Sequence, residues 1–145
     1  MERLTFDVKK VQIVPISEVF PNSWNPKDKD TYEFGEVKRS IMTKGLRQPI
    51  IVREIEKNKY EIVDGEQRYT ACKELGYEHI LIYNEGEMSD KEAKELTIAY
   101  QTQVPFKELE LAELIKDIQI NLGEGEELQL PYLPEKLDGL LKLSD

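Results

Sequence analysis

Tyr60 to Gly76 reads Tyr-Glu-Ile-Val-Asp-Gly-Glu-Gln-Arg-Tyr-Thr-Ala-Cys-Lys-Glu-Leu-Gly, and this order constrains the chain more than any other stretch. Tyr60, Ile62 and Asp64 alternate as one face of a strand. Gly65 follows at once, and a short helix from about Gln67 to Leu75 is stopped by Gly76. A strand, a tight glycine turn and a helix leave the backbone N–H groups at the helix start without intrahelical acceptors. The helix dipole adds partial positive charge there, so an anion is the natural guest. Arg68, in the first turn, brings a donor fork suited to phosphate or carboxylate. Glu66 allows two roles by spacing alone: a first-turn carboxylate that only stabilises the dipole, or a group that holds a bridging metal or orients a water beside the anion.

The flanking pattern reads as further candidate strands and helices. Val11, Ile13 and Val14, closed by Pro15, read as a first strand, and Ile16 to Phe20 complete the approach to Pro21. Pro21 to Asp30 is a loop by its turn residues. Within it, Trp24 is expected to lie against the body of the domain, the alternative being a base-stacking platform. Phe34, Val37 and Ile41 recur at helical spacing between Thr31 and Lys44, with Gly45 where a C-cap belongs. Ile50-Ile51-Val52 is a buried strand, and Glu56-Lys57-Asn58-Lys59 is the hairpin turn into the Tyr60 strand. His79 to Tyr83 forms a further strand. Ser89-Asp90-Lys91-Glu92 has capping-box spacing, so a helix starts there and turns Ala93, Leu96, Ala99 and Tyr100 inward until Pro105. A second helix carries Leu109, Ala112, Ile115 and Ile118, and Pro134 to Ser144 forms a short amphipathic helix with Leu137, Leu140 and Leu141. The expected division is a domain over residues 1–122 and an acidic linker with a short helix over 123–145.

Charge bears on partners. The net charge is −9, but residues 1–60 hold 12 Lys/Arg against 9 Asp/Glu while residues 61–145 hold 8 against 20. Tight nonspecific DNA binding needs many phosphate contacts, which this composition does not advertise, whereas the acidic second half suits a basic protein partner. Lys38, Arg39, Lys44 and Arg47 cluster near Gly45, either as a solvated face or toward a phosphate-bearing ligand. No apolar run has the length of a membrane span, and the N-terminus has no signal-peptide core, so no membrane association is expected and the expected location is cytoplasmic. One histidine and one cysteine leave the common metal and nucleophile sets without their parts. Cys72 reads as a small buried hydrophobe and His79 as a structural strand residue. Neither a P-loop nor a dinucleotide-binding glycine fingerprint is present.

Asn25-Pro26, Ser40-Ile41, Lys44-Gly45-Leu46-Arg47-Gln48-Pro49-Ile50-Ile51-Val52 and Ile62-Val63-Asp64-Gly65-Glu66-Gln67-Arg68-Tyr69-Thr70-Ala71 together resemble, in order and spacing, the N-terminal domain of ParB partition proteins in the ParB/sulfiredoxin superfamily. The likeness runs over roughly residues 11 to 120. It implies an α+β domain with a small mixed sheet and packed helices, followed by C-terminal helices, with a pocket for a nucleoside triphosphate, CTP first, and Mg2+. By position, Gly65, Glu66, Gln67 and Arg68 would line the phosphates, with Glu66 as the metal or catalytic candidate, and Gln48 would approach from the other side. The second family motif, Glu-Asn-x-Gln-Arg, aligns with Tyr100 to Val104 and adds Gln101 and Gln103 to the expected nucleotide contacts.

The departures limit what the resemblance implies. Gln67 replaces the first arginine of the family's Gly-Glu-Arg-Arg segment. Tyr100, Gln101 and Val104 replace the Glu, Asn and Arg of the second motif, of which Glu and Asn serve hydrolysis and magnesium. Nucleotide turnover is therefore not implied here. Sulfiredoxin activity uses a cysteine where this chain has Glu66, so that activity is rejected. The expected function is a nucleotide-binding switch in DNA partition, plasmid or phage maintenance, or transcriptional regulation, either stand-alone or cut from a longer chain. DNA would be reached through another domain or partner, and a protein partner or homodimer completes the expectation. The alternatives are a ParB-like nuclease or phosphotransferase using Glu66, with weak NTPase activity in the same class, and an interaction module with a vestigial pocket.

Overall fold

The structure, a computed structural model, describes residues 2–24, 31–101, 108–132 and 134–143. Its elements run β1 (Val11–Pro15), β2 (Val19–Phe20), α1 (Tyr32–Lys44), β3 (Ile50–Glu56), β4 (Lys59–Asp64), α2 (Glu66–Glu74), β5 (His79–Asn84), α3 (Asp90–Gln101), α4 (Glu108–Ile120) and α5 (Pro134–Leu143). The five strands form one mixed sheet in the order β1-β5-β3-β4-β2. β1 runs antiparallel to β5 and β3 antiparallel to β4, while β3–β5 and β2–β4 are parallel. This is the small mixed sheet with packed helices that the resemblance implied.

β3 lies in the middle, and its first four residues, Ile50 to Arg53, are all buried. Its β-branched run is continuous rather than alternating because both faces are covered. Ile50 and Val52 join Ile62, Ile80 and Ile82 under Phe34 and Ile41 of α1 and Tyr69, Ala71 and Cys72 of α2. Ile51, Val63 and Tyr83 face the other way, against Ala93, Leu96 and Tyr100 of α3 and against Trp24. Each fully buried isoleucine contributes about 1.5–3 kcal/mol relative to exposure. Helix ends follow the expected chemistry. The Thr31 hydroxyl accepts the Phe34 N–H at 3.1 Å, Gly45 closes α1 at φ 78°, and the Ser89 hydroxyl accepts the Glu92 N–H at 3.2 Å. Asn58, at φ 61°, makes the β3–β4 turn.

Three inward assignments on α3 and α4 differ from the helical pattern. Ala99 is exposed and Thr97 is buried instead. The Thr97 hydroxyl donates to the Val63 carbonyl at 2.7 Å and accepts the Trp24 indole N–H at 3.3 Å, so a polar residue occupies the inner face because the sheet and the loop both offer it partners. On α4, Leu109 and Ile118 are exposed, and the buried line runs through Ala112 and Ile115. Contacts divide the chain into two compact units, residues 1–102 and 103–145. Grouping α4 with α5, this division differs from the expected break at 122/123. The physical reason is a separate apolar cluster in which Ala112, Ile115 and Leu140 are buried, with Leu111, Leu128, Leu130 and Leu137 packed around them.

The first unit is locked by a buried arginine that sequence pattern did not single out. Arg53 Nη2 donates to Glu61 at 2.7 Å and to Asp90 at 2.8 Å, Nε donates to Glu61 at 2.9 Å, and Nη1 donates to the Met88 carbonyl at 3.1 Å. Its guanidinium also stands 5.4 Å from the Trp24 ring centroid. Burial alone would lower its pKa, but the hydrogen bonds and charges of Asp90 and Glu61 outweigh that and raise it. Arg53→Ala strips the partner from the nearly buried Glu61 and is expected to cost about 3–5 kcal/mol in urea unfolding. A loss below about 1 kcal/mol would show that the network does not hold α3 to the sheet.

Candidate phosphate site at the Gly65 turn

β4 ends at Asp64 and α2 begins at Glu66, so the chain reverses within one residue. Gly65 manages this in the left-handed region, φ 103° and ψ 22°, and no side chain caps the helix. The first intrahelical bond is Tyr69 N–H to the Gly65 carbonyl at 2.9 Å, which leaves the Gln67 and Arg68 N–H groups ahead of it at the positive end of the helix dipole. Glycine is needed for a second reason. A Cβ at residue 65 would stand 2.8 Å from Arg68 Nη2 and 3.2 Å from Ile50 Cδ1. The guanidinium is thus folded directly over the turn.

Arg68 is poorly served in this position. Nη2 donates to the Pro49 carbonyl at 3.1 Å and stands 3.9 Å from Asp64 Oδ2, while Nε is buried with no hydrogen-bond partner among the described residues. Burial lowers the Arg68 pKa, and the neighbouring Asp64 and Cys72 oppose that only in part. A buried donor left unmade costs about 1–3 kcal/mol, so an acceptor entering here has something to gain. A pocket of about 130 Å³ opens at this point, lined by Val37, Asp64, Gly65, Glu66, Gln67 and Arg68. That volume suits a phosphate-sized group rather than a whole small-molecule ligand, whose sites run to roughly 300–1,000 Å³.

Gly65, Glu66, Gln67 and Arg68 line one pocket together. Gln48 is exposed on the loop that leads into Pro49, so the Pro49 bond to Arg68 brings its segment beside the turn. Gln101 closes α3 with an exposed side chain, and its neighbour Tyr100 feels the charge of Asp64. Burial is the main cause that raises the Tyr100 pKa, with Glu85, Tyr83 and Asp64 adding to it. Gln103, with the rest of its motif from Thr102 onward, lies outside the described residues. Sequence reasoning missed Asp64, Val37 and the Pro49 carbonyl as parts of the site. The four-residue spacing of Asp64 and Arg68 was a signal for the first; nothing local marks the other two.

Two of the cations near Gly45 have other partners. Lys38 pairs with Glu74 of α2 at 3.1 Å, and Arg47 Nε donates to the Lys44 carbonyl at 3.0 Å. Cys72 is fully buried, and burial pushes its thiol up to about 11 even with Arg68 opposing the shift, the reverse of a reactive thiolate. Among the described residues no group of three or more His, Cys, Asp or Glu side chains assembles a metal site. None of the described helices is long and apolar enough to cross a membrane.

Residues 1–101 match the ParB N-terminal domain family. Over 92% of the chain, the nucleoid occlusion protein of Bacillus cereus (strain B4264) is 31% identical, as is that of Bacillus anthracis (strain A0248). The match covers 52% of each, so the chain spans about half the length of these curated relatives. Among solved structures, the C-terminally truncated chromosome-partitioning protein ParB from Caulobacter crescentus complexed with CTP-gamma-S is 26% identical with a TM-score of 0.66, covering 75% of this chain and 62% of that one. The same protein complexed to the centromeric parS site shares the fold at 21% identity and a TM-score of 0.51, covering 90% of this chain and 70% of that one.

Two substitutions separate strain from collision at the turn. Gly76 also has a positive φ, 85°, but an added Cβ there meets nothing within 4 Å. Gly76→Ala is expected to cost the left-handed penalty alone, about 1–2 kcal/mol in urea unfolding. Gly65→Ala is expected to cost more, because Arg68 must also move. Equal losses would contradict the close packing of Arg68 over Gly65.

Proposed function

The chain belongs to the ParB N-terminal domain family, and from that premise we propose that the Gly65 turn binds the phosphates of a nucleoside triphosphate, CTP foremost, as a switch in DNA partition or nucleoid occlusion. The observation that carries the reading is Arg68, whose three-quarters-buried guanidinium lies over an uncapped helix start with an unpartnered Nε among the described residues. The CTP-gamma-S complex of the Caulobacter crescentus relative supports CTP over other nucleotides.

In this reading the Gln67 and Arg68 N–H groups and the Arg68 fork donate to phosphate oxygens, which restores the hydrogen bonds that Arg68 lacks. Gly65 lets the phosphate approach the backbone closely. Gln48, on the loop joined to Arg68 through Pro49, approaches the remainder of the nucleotide, and Gln101 and Gln103 lie in the segment expected to follow it. The nucleotide supplies the triphosphate charge and, with Mg2+, the site at which Glu66 would hold metal or water. Binding is proposed without turnover, because Tyr100 and Gln101 stand where the family motif has Glu and Asn. With a net charge of −9, the chain is assigned DNA only through another domain or a partner, and a protein partner or second copy belongs to the same proposal.

Titration calorimetry with CTP, ATP, GTP and ADP, with and without Mg2+, tests it. CTP is expected to bind, and Arg68→Ala to weaken it by about 1.5–3 kcal/mol, roughly 10- to 150-fold. Failure of all four to bind, or unchanged affinity in Arg68→Ala, would overturn the assignment.

A further inference from the structure

We infer that Asp64 is a built-in competitor for Arg68, a carboxylate that holds the phosphate-binding guanidinium when no nucleotide is present and must be displaced when one arrives. The inference rests on the nucleotide reading above and adds a regulator to the same site.

The contrast between the two buried arginines of this unit carries it. Arg53 meets its carboxylates at 2.7 and 2.8 Å and gains from them full charge-assisted hydrogen bonds. Arg68 meets Asp64 only at 3.9 Å, at the limit of an ion pair, although both side chains are about three-quarters buried at 25% and 23% exposure. A buried pair at that separation is attracted but not hydrogen-bonded, and Arg68 Nε keeps an unmet donor among the described residues. Such a pair draws the guanidinium toward Asp64 while leaving Nε able to take a new acceptor.

Position makes the competition direct. Asp64 and Arg68 line the same pocket of about 130 Å³, so a phosphate that reaches Arg68 lies beside the Asp64 carboxylate and is repelled by it. Apparent affinity is lowered by the fraction of molecules in which Arg68 is not available, and repulsion lowers it further. Charge on the ligand sharpens the effect, so it should be larger for free CTP than for CTP with Mg2+ bound. Asp64 is a positioning residue in this scheme, since it acts through Arg68.

A double-mutant cycle with CTP as the probe separates this role from a general field effect. Asp64→Asn keeps shape and removes charge; Asp64→Ser removes the charge with a smaller side chain and stands in should the first variant fold poorly. Either is expected to tighten Mg2+-free CTP about tenfold when Arg68 is present, less with Mg2+, and by a clearly smaller factor in the Arg68→Ala background, where only the direct repulsion by Asp64 is relieved. Unchanged or weaker binding in both Asp64 variants, with wild type binding normally, overturns the inference and leaves the nucleotide reading standing. An equal gain with and without Arg68 also overturns it, since Asp64 would then act on the ligand alone. If wild type and the Asp64 variants all fail to bind CTP, the nucleotide reading falls and the inference falls with it.

Discussion

β4 gives way to α2 within one residue because Gly65 takes φ 103°, and most of the local geometry follows from that angle. The turn aims the first N–H groups of α2 outward and leaves no Cβ between the backbone and the Arg68 guanidinium. The guanidinium then settles over the turn, with its Nη2 on the Pro49 carbonyl and its Nε short of a partner among the described residues. A residue with a side chain at this position would strain the backbone and push the arginine away. The site is therefore a property of one backbone conformation, with side chains arranged around it.

Two arginines within this small unit illustrate how burial produces different outcomes. Arg53 is surrounded by Glu61, Asp90, the Met88 carbonyl and the Trp24 ring, so its charge is matched and its role is to fasten the sheet to the start of α3. Arg68 is also taken from water, yet receives one carbonyl and one distant carboxylate. Removing a cation from solvent without full compensation is unfavourable, and the structure tolerates it where an anion can complete the set.

Much of this was legible in the chain. Period-two alternation marked β4, period 3.6 marked α1, and Gly45, Gly65 and Gly76, each at positive φ, marked element ends. Gly65 to Arg68 could be grouped because the site is contiguous. What escaped was long-range. Arg53 gathers partners from β4, α3 and the segment before α3, and no local pattern distinguishes it from an exposed strand arginine. Thr97 took an inward place expected for Ala99 because the Val63 carbonyl and the Trp24 indole needed a hydroxyl between them. α4 resembled a continuation of the sheet domain in sequence, but its small buried face of Ala112 and Ile115 is completed by Leu140. Hydrophobic spacing shows that a helix has an inner face, not which partner covers it.

The account's central claim is that phosphates bind at the start of α2. Amide chemical shifts in a 15N-labelled protein, followed during titration with CTP and Mg2+, test it residue by residue. The expected result is that Gly65, Glu66, Gln67 and Arg68 shift first and most, joined by the Gly45 to Gln48 loop through the Pro49 contact. Shifts that leave Gly65 to Arg68 unmoved while another surface responds would contradict it.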